Sequence, residues 1–168
     1  MNLDDLNKCD IKQVSIELLK CCGSTKWVEK MITARPYSSA TQLCVLAEKF
    51  WFDSGRDDYL EAFAVHPKIG ESKIPEKAKN TENWTQKEQA GMMSADVQTK
   101  LELVKQNRKY EEKFGYIFIV CATGKSASGM LELLRIRLEN SSETELKIAA
   151  GEQMKITNLR LNKMLRDA

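Results

Sequence analysis

Tyr116-Ile117-Phe118-Ile119-Val120-Cys121-Ala122 is the stretch whose reading decides the fold. Its aromatic and β-branched side chains have the composition of a buried strand. No second run of this kind stands elsewhere in the chain, and one strand alone makes no stable sheet. The expectation is therefore an all-α protein, a single-domain multi-helix bundle with one short buried extended segment near 116–122. Backbone N–H and C=O groups in such a segment need partners. A bound polar ligand can supply them. Helix ends and packed side chains are the other, more ordinary, source.

Working outward, helical patterns flank this stretch on both sides. After it, Ser126 opens one helix carrying Met130, Leu133, Leu134, Ile136 and Leu138. Ser142 opens another with Leu146, Ile148, Met154, Ile156, Leu159, Leu161 and Leu165. Before it, a long helix is expected from Thr85 to about Lys113, bent near Gly91, with Val97, Leu101, Val104, Tyr110 and Phe114 at helical period. The region from Val65 to Asn83 is broken by Pro67, Gly70 and Pro75 and reads as an exposed loop. Four shorter helices precede it, opened by Asp10, by Ser24 or Thr25, by Ser38 or Ser39, and by Asp57 or Asp58. No repeat, linker or composition shift divides the chain, so residues 1–168 are expected to form one domain.

Composition narrows the function. Lys plus Arg total 26 against 24 Asp plus Glu, a net charge of +2, too balanced for a nucleic-acid footprint. The five cysteines (Cys9, Cys21, Cys22, Cys44, Cys121) have no C-x-x-C spacing, and a single histidine leaves a zinc site short of ligands. They are expected to be reduced thiols, mostly buried. No apolar run is long enough to cross a membrane, and the acidic start Met-Asn-Leu-Asp-Asp is unlike a signal peptide. The expected location is the cytoplasm, with no nucleic-acid or membrane partner.

Three places can carry chemistry. His66 lies in His66-Pro67-Lys68-Ile69-Gly70-Glu71. Its ordinary pKa, about 6.5, suits proton transfer near neutral pH, although a hydrogen-bonded histidine in a turn is the plainer reading. Thr85-Gln86-Lys87-Glu88 fits a capping box, which alone suffices to explain Thr85 and Glu88. The same helix start also offers free N–H groups to an anion, and Glu88 and Gln89 can hydrogen-bond a ureido group. Arg160 lies among Ile156, Leu159 and Leu161, either snorkelling to the surface or forking onto a carboxylate.

Taken in order, these stretches resemble the 2-oxo-4-hydroxy-4-carboxy-5-ureidoimidazoline (OHCU) decarboxylases of the urate-to-allantoin pathway. The resemblance begins near Arg35-Pro36 and runs through HPKIGE (66–71), WTQKEQAG (84–91) and YEEKFGYIFIVCATGKS (110–126). It continues through RLEN (137–140) to ITNLRL (156–161). It implies an all-helical homodimer acting on OHCU without metal or organic cofactor. It further implies His66 and Glu88 as catalytic residues. Thr85, Gln86, Lys87 and Gln89, Pro67, the backbone of Phe118, Ile119, Val120, Cys121 and Ala122, and Arg160 would surround the substrate. Two departures from the family pattern are visible: Thr85 stands where serine is usual, and Lys68 where arginine is more frequent. The rival expectations are a non-catalytic helical module binding a small anion or a partner protein, and a lyase or hydrolase acting on a related ureide.

Overall fold

The computed structural model describes residues 1–68 and 97–166 of the 168-residue chain. Within them the architecture is all-α, with eight helices and no strand. The helices are α1 (Leu3–Lys8), α2 (Ile11–Cys21), α3 (Thr25–Thr33), α4 (Ala40–Phe52) and α5 (Arg56–Ala64). They continue with α6 (Val97–Phe114), α7 (Ala127–Leu138) and α8 (Ser142–Arg166). The start of the long helix expected at Thr85, together with its bend at Gly91, lies outside the described residues. The chain forms two compact units, one of Met1–Val65 with Ala150–Ala168 and one of His66–Ala149, and the boundary at Ala149 falls inside α8.

Most helix starts follow from side-chain caps. Asp10, Ser24, Ser39 and Ser126 each accept a backbone N–H from the third residue onward, satisfying a donor that the first turn cannot. Asp58 acts differently from expectation. It takes the N–H of Gly55 at 3.0 Å, so it sits in the first turn and α5 begins at Arg56 rather than after an aspartate cap. The sequence pattern also passed over α1, a six-residue helix with one buried side chain, Leu6. Its signature was the reciprocal pair of Asn2 and Asp5, whose side chains bond each other's backbone N–H.

In the first unit α2, α3, α4 and α5 bury Val14, Leu18, Trp27, Val28, Met31, Leu43, Ala47, Trp51 and Phe63. The Trp27 indole donates to Ala47 O at 2.9 Å and that of Trp51 to Ala150 O at 2.8 Å, so neither ring buries an unpaired N–H. Arg35, where the resemblance begins, has a structural task. Its guanidinium gathers the carbonyls of Leu6 (3.0 Å), Cys9 (2.8 Å) and Ile32 (3.3 Å) at the C-terminal ends of α1 and α3.

In the second unit α6 packs on α7. Here the apolar periodicity holds at Tyr110 and Phe114 but fails toward the start of α6. Val97 and Leu101 are exposed, 73% and 61%, while Leu103, Gln106, Asn107, Tyr110 and Phe114 are buried. Two of the inward residues are polar, and a count of apolar side chains cannot see them. In α7 Met130 and Leu134 are buried as expected, while Ile136 is exposed and its neighbour Arg137 is buried.

Candidate active site

His66 follows α5 directly, and α5 is held firmly within the first unit. The Glu61 carboxylate accepts the Thr25 N–H at 2.8 Å and the Thr25 hydroxyl at 2.9 Å, joining the middle of α5 to the start of α3. The Tyr59 ring lies 4.6 Å from that of Trp51, and Phe63 meets both. At the end of α5, Val65 presses on Gly23, where an added Cβ would come within 2.7 Å of a Val65 methyl. The last residue before His66 is thereby located against the α2–α3 turn. His66 itself is half-buried, Pro67 exposed and Lys68 half-buried. Lys68 pairs with Glu111 of α6 at 3.0 Å, a contact that an ammonium can make.

The segment 116–122 carries no helix or strand, yet Tyr116 and every residue from Phe118 to Ala122 are buried. Burial without alternation removes both sides of the backbone from water. Part of the resulting need is met by cations. Arg137 donates to Ile119 O at 2.6 Å and Lys125 to Cys121 O at 2.6 Å, while the Lys125 backbone N–H reaches Ala122 O at 3.0 Å. Among the described residues, no acceptor meets the backbone N–H groups of Phe118, Ile119, Val120 or Ala122. Buried backbone donors are nearly always paired in native proteins.

Arg137 was not singled out by the sequence, because an arginine between Ile136 and Leu138 reads as a surface residue. The structure buries it with Glu145 of α8: Nε and Nη2 both reach Oε1 at 2.6 Å. Tyr110 donates to the same oxygen at 2.5 Å, and Asn140 Nδ2 to the other at 3.0 Å. Burial, with the neighbouring carboxylate, raises the Tyr110 phenol far above its ordinary range, which keeps it a protonated donor. The one available signal was the RLEN motif, whose Arg137 and Asn140 both bond Glu145.

Arg160 is half-buried on α8 in the first unit, where Nη1 donates to Lys20 O at 3.3 Å. His66, Pro67 and Phe118 to Ala122 belong to the second unit. Thr85, Gln86, Lys87, Glu88 and Gln89 lie outside the described residues. Among the described residues no group of three or more His, Cys, Asp or Glu side chains is gathered as for a metal ion, and no helix is long and apolar enough to cross a membrane.

An all-α set of described residues whose α6 and α7 are joined by a buried, irregular segment defines the class, and comparison with known proteins names the family. Residues 7–162 match the OHCU decarboxylase family. The chain is 39% identical over 149 residues to a "uric acid degradation bifunctional protein", TTL of Arabidopsis thaliana, covering 88% of this chain and 46% of that one. It is 31% identical over 112 residues to the 2-oxo-4-hydroxy-4-carboxy-5-ureidoimidazoline decarboxylase of Mus musculus, covering 67% and 61%. A crystal structure of OHCU decarboxylase in the presence of (S)-allantoin superposes with a TM-score of 0.77 at 35% identity, over 89% of this chain and 97% of that one. The chain belongs to the OHCU decarboxylase family. It spans 32–46% of the length of the first curated relatives it matches.

Proposed function

We propose that this chain decarboxylates OHCU to (S)-allantoin in urate degradation, as a cytoplasmic homodimer needing no cofactor, with residues 1–168 acting as one catalytic domain. The observation that carries the reading is the set of buried N–H groups at Phe118, Ile119, Val120 and Ala122, without acceptors among the described residues. They belong to the same unit as His66. The family match across 7–162 supports it, as does the likeness to a decarboxylase crystallised with (S)-allantoin. Five free cysteines suit a reducing compartment.

The chemistry needs no electron sink beyond the substrate. OHCU carries its carboxylate on a ring carbon that also bears a hydroxyl, next to a C=N bond. Loss of CO2 sends the C–C bond pair into a new C=C bond as the imine nitrogen takes a proton, giving an enol. Protonation of the neighbouring carbon on one face, with the enol hydroxyl becoming a carbonyl, gives one enantiomer of allantoin. His66 is assigned the proton movements at the hydroxyl and carboxylate, a role commonly worth about 10² to 10⁴ in rate. Glu88 orients the ureido arm. Thr85, Gln86, Lys87 and Gln89, Pro67, the Phe118–Ala122 backbone and Arg160 hold the rest.

The test generates OHCU in situ from urate and follows allantoin by circular dichroism. Accelerated formation of the S enantiomer, abolished by His66→Ala, is expected. Racemic product at the spontaneous rate would reject the reading.

A further inference from the structure

The second unit spends an ion pair where apolar side chains would serve stability equally well. Arg137 and Glu145 are 6% and 0% exposed, and buried pairs of this kind are often replaceable by apolar residues of similar volume without loss of stability. What an apolar pair cannot do is donate to a carbonyl. Arg137 spends Nη1 on Ile119 O at 2.6 Å, with its guanidinium carbon 4.4 Å from the centroid of the Phe118 ring. The rest of the guanidinium is fixed by Glu145, itself held by Tyr110 and Asn140. Two residues along, Lys125 holds Cys121 O at 2.6 Å.

A peptide unit is planar, and in a trans bond its C=O and N–H point in opposite directions. Every peptide between described residues in this segment is trans, the recorded cis bond being Arg35–Pro36. Holding Ile119 O therefore directs the Val120 N–H away from Arg137. Holding Cys121 O likewise directs the Ala122 N–H away from Lys125. Both N–H groups are among those with no acceptor among the described residues. The segment has no helix or ladder to set these directions; the two cations set them instead.

We propose that Arg137 and Lys125 are positioning residues that aim the Val120 and Ala122 N–H groups at the substrate. This rests on the reading of the chain as an OHCU decarboxylase. The donors serve a ring or ureido oxygen, which substrate and product share, so their contribution is uniform binding: it appears in KM and in product inhibition rather than in kcat.

The experiment measures kcat and KM for OHCU, and the inhibition constant of (S)-allantoin, in wild type, Arg137→Lys and Lys125→Met. Far-UV circular dichroism at the assay temperature sets the folded fraction. One neutral hydrogen bond corresponds to about a 3- to 10-fold change in a binding constant. The expectation is that KM and the allantoin constant rise together by about that factor, with kcat per folded molecule little changed. Lower apparent kcat at wild-type KM and wild-type allantoin inhibition would reduce both residues to structural roles and overturn the proposal. If Arg137→Lys does not fold, Lys125→Met, a change at a half-buried position, decides alone. A wild type that fails to turn over OHCU takes the parent reading down and this one with it. A wild type that turns over, beside variants of unchanged KM, removes this inference only.

Discussion

In the unit formed by Met1–Val65 and Ala150–Ala168, the fully buried polar side chains Ser24, Gln153 and Thr157 are neutral, the buried Glu152 carboxylate pairs with the exposed Lys155 at 2.6 Å, and the great buried rings, Trp27 and Trp51, each need one carbonyl. In His66–Ala149 the buried polar centre is charged: Arg137 and Glu145, wrapped by Tyr110, Phe118 and Asn140. The first arrangement is what apolar periodicity and caps build when only stability is required. The second costs desolvation and returns a fixed backbone. One unit ends at the residue before His66 and, beside its packing, carries Arg160; the other carries a stretch of chain whose donors need aiming. That contrast predicts which variants cost stability, which cost activity, and which cost both.

The largest effect is expected at His66. His66→Ala lowers kcat/KM by about 10² to 10⁴ with the melting temperature close to wild type, since a half-buried side chain past a helix end contributes little packing. Trp51→Ala is the mirror image. It empties a fully buried site and should cost about 3–5 kcal/mol of stability, with KM unchanged at temperatures where the variant is folded. A large KM shift in Trp51→Ala would erase the distinction between scaffold and site.

The ion pair itself offers a sharper version. Glu145→Gln leaves the buried Arg137 without its counter-charge and should destabilise by about 3–5 kcal/mol. The double variant Arg137→Met/Glu145→Leu is expected to recover most of that loss in denaturant melts, while its KM stays raised because Ile119 O has lost its donor. Recovery of both stability and KM would show that the pair serves packing alone.

Thiol chemistry separates exposed from scaffold cysteines. Burial pushes the Cys21 thiol up to about 12 and the Cys22 thiol up to about 11, from 9.0. Native labelling near pH 8 should therefore reach the half-buried Cys9 and Cys44 well before Cys21 and Cys22. The stability tied to these groups has a definite sign. It is whole below about pH 9, where unfolded thiols are protonated, and declines as pH rises toward 11 and 12, because only the unfolded chain releases the protons. A melting temperature that climbs across that window would contradict the burial of both thiols.

What the sequence made legible divides along the same line. Caps at Asp10, Ser24, Ser39 and Ser126 were readable because a short polar side chain bonds three residues ahead, a local event. The burial of Phe118 to Ala122 was readable because an unbroken apolar run with no alternation marks a segment covered on both sides. Arg137 was not, since its partners Ile119, Tyr110 and Glu145 stand 18, 27 and 8 residues away, and no periodicity encodes a tertiary ion pair. Gln106 and Asn107 defeated the reading of α6 for the same reason: their burial is decided by what faces them. Pattern therefore served well for the scaffold and less well for the parts of the second unit that hold charge.

The smallest predicted effect tests whether the two units are one thermodynamic body. Asp10 caps α2 in the first unit through a 2.8 Å bond to Gln13 N, and Ser126 caps α7 in the second through a 3.1 Å bond to Gly129 N. Either cap changed to alanine should cost about 1 kcal/mol. In a single cooperative domain both variants shift one transition by similar amounts, whatever probe is used. Two independently melting units would instead show two transitions, with Asp10→Ala moving only one and Ser126→Ala only the other. The single transition is expected, because α8 runs unbroken from Ser142 to Arg166 across the boundary at Ala149. Melting one unit alone would fray that helix in its middle, where each residue lost forfeits a backbone hydrogen bond.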